Sequence, residues 1–127
     1  MKKLFLILIL TAFTSFGQNN ANSFPIFPGC AKEEPVDMPK CFQERLKQHI
    51  KDNYIYPEEA KNNKLKGRAI VEYVIEIDGT VIVTKVEGEH QILNNEAKRI
   101  IELLPKMQPA YQNGKPIRML LSIPISF

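Results

Sequence analysis

The sequence predicts an α+β two-layer sandwich, a three-stranded antiparallel sheet with two main helices on one face. Three observations predict it. A helical apolar stripe over 41–54 is followed by a pair of alternating segments around Asp78-Gly79, and then by a second helical stripe and an alternating C-terminal segment. Runs of helix and strand in that order bury their apolar faces most simply as helices on one face of a single sheet.

The first helix is read from Cys41 to Tyr54, where Phe42, Leu46, His49, Ile50 and Tyr54 recur on one face. "YPEEAKNN" then starts a short second helix. Pro57 presets the first-turn φ, and Glu58 and Glu59 favour the positive end of the helix dipole. In "GRAIVEYVIEIDGTVIVTKVEG", Ala69, Val71, Tyr73, Ile75 and Ile77 alternate with Arg68, Ile70, Glu72, Val74 and Glu76. Asp78-Gly79 is expected to form a two-residue turn, with Val81–Glu87 returning as partner. Ile70 and Val74 add apolar character to the second face of the first strand, which suits the middle of the sheet.

The next helix has Asn94 as its expected N-cap, a stripe of Leu93, Ala97, Ile100, Ile101 and Leu104, and Pro105 as its stop. A loop containing Gly114 leads to the last strand, where Ile117, Met119, Leu121, Ile123, Ile125 and Phe127 share a face. That strand pairs beside the first and leaves its outer side open.

The chain divides into a leader at 1–17, an extended arm at 18–40 and the folded domain at 41–127. Lys2 and Lys3 precede an apolar run from Leu4 to Phe16, and Ser15-Phe16-Gly17 offers small residues for cleavage before Gln18. A spanning helix needs roughly 20 apolar residues, so a signal peptide is favoured over an inner-membrane anchor, and export to the periplasm follows. The arm holds Pro25, Pro28, Pro35 and Pro39, too many breaks for regular structure. Cys30 and Cys41, in an oxidising compartment, read as a disulfide; a redox pair or half a metal site is the alternative.

Charge and motif exclude several functions. Without the leader, 15 basic residues face 14 acidic ones, which is no footprint for nucleic acid. His49 and His90 have no metal-ligand spacing, and Ser122 has no nucleophile elbow. The glycines are isolated, and Glu72 with Glu76 reads as exposed charge rather than an acid/base pair. No catalytic residue, metal, cofactor or small-molecule substrate is therefore expected.

The open last strand remains. Pro124 reads either as a device that blunts an exposed edge or as a bystander to β-augmentation, in which a guest peptide pairs with the free backbone. The candidate partner-binding residues are Arg118, Met119, Leu120, Leu121 and Ser122.

Several landmarks bear on that choice. They are Tyr56-Pro57 with Ala60, Gly67 before the strand, Asp78-Gly79 at the turn and Pro105 with Pro109 after the helix. Gly114-Lys115-Pro116 follows, and Pro124-Ile125 with Phe127 closes the chain. Together they resemble the TonB C-terminal domain, particularly its Bacteroidetes version, and "FPGC" ahead of Cys41-Phe42 resembles the arm that precedes it. The resemblance implies a periplasmic domain that takes a short peptide of an outer-membrane TonB-dependent receptor onto its last strand, here Ile117–Ser126. It departs from a full TonB in having a cleavable-looking leader and an arm of 23 residues, which reaches about 80 Å at most. A stand-alone binding module is thus expected rather than a membrane-anchored energy transducer. A homodimer through the last strand is the competing use of the edge.

Overall fold

The computed structural model describes residues 23–34 and 37–127, so the expected leader lies outside the described residues. Two helices come first, α1 (Met38–Asn53) and the single-turn α2 (Glu58–Asn62). Strands β1 (Arg68–Ile75) and β2 (Val81–Gly88), helix α3 (Gln91–Glu102), and strands β3 (Ala110–Gln112), β4 (Lys115–Ile117) and β5 (Met119–Ser126) follow. The main sheet is antiparallel in the order β2-β1-β5, and β3-β4 form a separate pair. This is the expected α+β architecture, with the first strand in the middle.

The core lies between sheet and helices. Ala69, Val71, Tyr73 and Ile75 of β1 are buried there against Phe42 and Leu46 of α1 and Ala97, Ile100 and Ile101 of α3. His49, on the inner side of α1, is held by Ile100, its Nε2 lying 2.8 Å from the carbonyl oxygen. The opposite sheet face is open to solvent, and across it Val74 is shielded by its cross-strand neighbours Ile82 and Leu120.

Local structure departs from expectation at several points. Helix α1 begins three residues before Cys41, because Pro39 sits in the first turn, where its missing N–H costs nothing. Asn94 is not the cap of α3. His90 holds that position, while Asn94 lies in the first turn and its Nδ2 donates to the Gly88 carbonyl at 3.0 Å. The helix ends at Glu102, ahead of Pro105, since a proline disfavours helical geometry in the residue before it.

The β1–β2 turn is wider than two residues. Glu76 N donates to Thr80 O at 2.8 Å around Ile77, Asp78 and Gly79, and of these three only Gly79 has positive φ. A side chain at Gly79 would collide with the Met107 carbonyl, whose own amide donates to Gly79 O. Ile77, expected on the inner face, is consequently exposed in the turn. The two-residue turn with both central φ values positive occurs instead at Asn113 and Gly114 (53° and 80°), closing β3 onto β4 where a plain loop was expected. The last strand is correspondingly divided. Ile117 pairs in β4, and β5 starts at Met119.

Candidate protein-docking edge

The described part of the arm, from Ser23, is tied down. Ser23 bridges Tyr111 and Ile26 bridges Gln108, with amide-to-carbonyl distances from 2.9 to 3.1 Å. Cys30 and Cys41 are joined in a disulfide, so the structural reading of the cysteine pair is the one the structure shows. Phe24 and Phe27 then meet Phe42 edge-on, with ring centroids 5.2 and 5.8 Å away.

The last strand lies at the margin of the sheet, and its register fixes which backbone groups are free. Gly67 and Phe127 exchange both amide–carbonyl bonds, which marks a hydrogen-bonded pair. Alternation from that pair places Ala69 with Ile125, Val71 with Ile123 and Tyr73 with Leu121 in the same class. The C=O groups of Leu120, Ser122, Pro124 and Ser126, and the N–H groups of all but the proline, therefore point away from β1. Among the described residues no strand pairs with them. Pro124 falls on this outward set, so it removes no bond of the β1–β5 ladder. Eight consecutive residue pairs run from Arg68–Ser126 to Ile75–Met119 without a bulge.

The five candidate residues separate by face. Leu120 is 61 % exposed, and Arg118 and Ser122 are also exposed, whereas Met119 and Leu121 are half-buried on the helix side. Arg118 is occupied. Its Nε and Nη2 donate to the two carboxylate oxygens of Glu76 at 2.8 and 3.2 Å, which fastens the start of β5 to the end of β1.

Beside the free margin runs an open groove of about 470 Å³. Leu121 to Ser126 form one side, and Phe42, Leu46, Ile50 and Tyr54 of the α1 stripe form the other. The lower end of that stripe thus serves the groove as well as the core. Tyr54 stacks on Phe127 at 5.3 Å, and burial raises the pKa of its hydroxyl. Tyr73, also in the lining, has its hydroxyl pushed up to about 12 by burial. The groove was not readable from the sequence, because it exists only where arm, helix and strand come together.

A buried brace holds the exit of α1. The Glu96 carboxylate accepts from Ile55 N at 3.0 Å and from Arg99 Nε and Nη2 at 2.8 and 2.6 Å. Arg99 Nη2 also donates to Asn53 O, and its charge is favoured chiefly by the hydrogen bonds to Glu96. Tyr56 donates its hydroxyl to the Leu65 carbonyl. No cluster of metal-ligating side chains occurs among the described residues, and no helix among them is long and apolar enough to cross a membrane.

The sequence profile described as Gram-negative bacterial TonB protein C-terminal matches residues 52–127. Among solved structures, the solution structure of the Helicobacter pylori TonB C-terminal domain (residues 179–285) is similar at 26 % identity and a TM-score of 0.51. The similarity covers 68 % of this chain and 78 % of that one. A shorter form of the same domain, residues 194–285, is also 26 % identical, with a TM-score of 0.45, over 68 % of this chain and 91 % of that one. No curated protein matches.

Proposed function

This chain belongs to the family of Gram-negative bacterial TonB C-terminal domains, and from that membership we propose that β5 captures an extended segment of a partner protein by strand addition. Membership carries the broader statement, a TonB-related role in transport at the cell envelope through protein interaction rather than catalysis. The partner we propose is the peptide of an outer-membrane TonB-dependent receptor, met in the periplasm after export.

The observation that carries this reading is the uninterrupted β5 ladder, whose outward backbone groups lie open beside an apolar groove. In strand addition the guest's backbone supplies most hydrogen bonds and alternate side chains supply specificity. Leu120 and Ser122 offer donors and acceptors, while Pro124 offers only its carbonyl. Side-chain truncation at Leu120 or Ser122 is accordingly expected to weaken capture little.

The test is titration of the ¹⁵N-labelled protein with synthetic peptides from receptor N-termini. Slowed exchange of the Leu120 and Ser122 amides supports the reading, and binding that leaves both amides unprotected overturns it. The same outward groups can pair with a second copy. Sedimentation at micromolar concentration separates the two uses, since a tight dimer through β5 would exclude the guest. Sequencing of the mature N-terminus tests export, with a start at Gln18 expected and an intact Met1 in membranes favouring an anchored transducer.

A further inference from the structure

The floor of the groove holds an unused hydrogen-bond donor. Tyr73 is 1 % exposed and lines the groove, yet its hydroxyl has no hydrogen-bond partner among the described residues. Among the described residues that are not exposed, Asn94 Oδ1 is the one side-chain polar atom both sealed from solvent and unpartnered. The Tyr73 hydroxyl therefore keeps access to the surface, and the groove is the space that Tyr73 lines. Its pKa, pushed up to about 12 by burial, keeps it a donor at neutral pH. A ligand oxygen that accepts from it satisfies a group that the fold leaves unpaired.

The groove is polar towards one end and apolar towards the other. Ile26 of the arm bridges Gln108, and Met107 is bonded to Gly79 in the turn beyond β1. Phe24 of the same arm meets Phe42, so α1 starts at the end of the sheet where Ile75 pairs with Met119. Tyr54 stacks on Phe127 at the opposite end. Tyr73, paired with Leu121, thus belongs to the end lined by Gln43 and Lys47. Lys47 is exposed, and it is the one charged residue among the described residues of the lining. Beyond it, Ile50, Ile123 and Ile125 continue the walls to Tyr54.

A hydroxyl, an ammonium and the Gln43 amide are donors that together suit a carboxylate. The apolar remainder suits a chain that asks for no hydrogen bonds. Gln43 to Tyr54 spans about 16 Å along the helix. An extended chain advances about 1.2 Å per bond, at three bonds per residue, so about 13 bonds fill that length. The groove volume of about 470 Å³ lies within the range of roughly 300–1,000 Å³ usual for small-molecule sites.

We infer that the groove binds a saturated fatty acid of about 12–14 carbons, its carboxylate held by Tyr73, Gln43 and Lys47 and its tail lying along Ile50, Ile123 and Ile125. The fatty acid is a ligand and is not transformed. Its site uses side chains between α1 and β5, and it stands whether or not the outward backbone of β5 takes a guest.

Calorimetric titration with octanoate, decanoate, dodecanoate, tetradecanoate and hexadecanoate, each below its micellar concentration, tests the site. Affinity should rise about fivefold for each two carbons up to dodecanoate and level off beyond tetradecanoate. Dodecylamine, with the same tail and a positive head, should bind at least tenfold more weakly than dodecanoate. Tyr73→Phe should weaken dodecanoate about fivefold. Lys47→Glu, at an exposed position, should reverse the preference between dodecanoate and dodecylamine. In the ¹⁵N-labelled protein, dodecanoate should shift amides of Tyr73, Leu121 and Ile123. Absence of saturable binding, affinity independent of chain length, or equal binding of carboxylate and amine would each overturn the inference. None of these results bears on strand addition, which the receptor peptides test separately.

Discussion

The two margins of the sheet are treated differently. At β2, Thr84 is an extra residue where the register to β1 slips between Glu72 and Tyr73. Lys85 and Glu87 place charges 3.4 Å apart on the same strand. A bulge and charged side chains are common means of discouraging edge-to-edge pairing. The β5 margin has neither. It runs without a slip, it has no charged residue from Met119 to Ser126, and it has an apolar groove alongside. Its one concession is Pro124, set where it disturbs nothing inward. The difference teaches that the exposed β5 margin is no general feature of this sheet, since the opposite margin is blunted.

The largest expected effect comes from moving a proline by one residue. Leu121→Pro removes a donor aimed at β1 and should cost on the order of 3 kcal/mol, enough to unfold much of the population. Leu120→Pro removes an outward donor, so the melting temperature should stay close to wild type while peptide capture is lost. Thermal denaturation and titration of both variants check the pair, and equal destabilisation would remove the inward–outward assignment.

Next in size is the disulfide. Replacing Cys30 and Cys41 by serine should cost about 2–4 kcal/mol. Because Phe24 is placed by the same arm, guest affinity should fall as well. Denaturant titration and peptide binding separate the two effects.

Alkaline titration probes the wall of the groove. Burial raises the folded-state pKa of Tyr73 to about 12, above its ordinary value near 10. The stabilisation this represents is fully present below about pH 10 and is lost as pH rises through about 12, a loss of about 2–3 kcal/mol. Tyr73→Phe should flatten that fall, and an unchanged profile would reject the assignment.

The smallest effect on stability belongs to the β2 margin. Lys85→Thr with Glu87→Thr deletes an exposed ion pair and should change stability by less than about 1 kcal/mol. Self-association should nonetheless rise, because the charges that keep other strands away are gone. Sedimentation would reveal it, and a strictly monomeric variant would show that the bulge alone protects β2.

The sheet order and the main helices could be read from the sequence because they depend on local periodicity. Alternation in β1 and the stripes at Phe42–Tyr54 and Leu93–Leu104 survive folding almost unchanged. Asn94 misled because asparagine caps helices well in isolation, whereas here Gly88 comes close enough to take its side chain into the first turn. The β3–β4 hairpin escaped because each strand has only three residues, although Asn113-Gly114 is a strong two-residue turn signal. The outward set on β5 could be approximated from alternation, but its phase needed the Gly67–Phe127 pair. The groove depends on the arm folding back across α1, a contact between segments that no local pattern specifies.

Amide exchange along β5 tests the central claim most directly. In the isolated monomer, Leu120, Ser122 and Ser126 should exchange quickly while Met119, Leu121, Ile123 and Ile125 are protected by β1, and a bound guest should then slow Leu120 and Ser122. Uniform protection of both sets in the monomer without a guest would contradict the account.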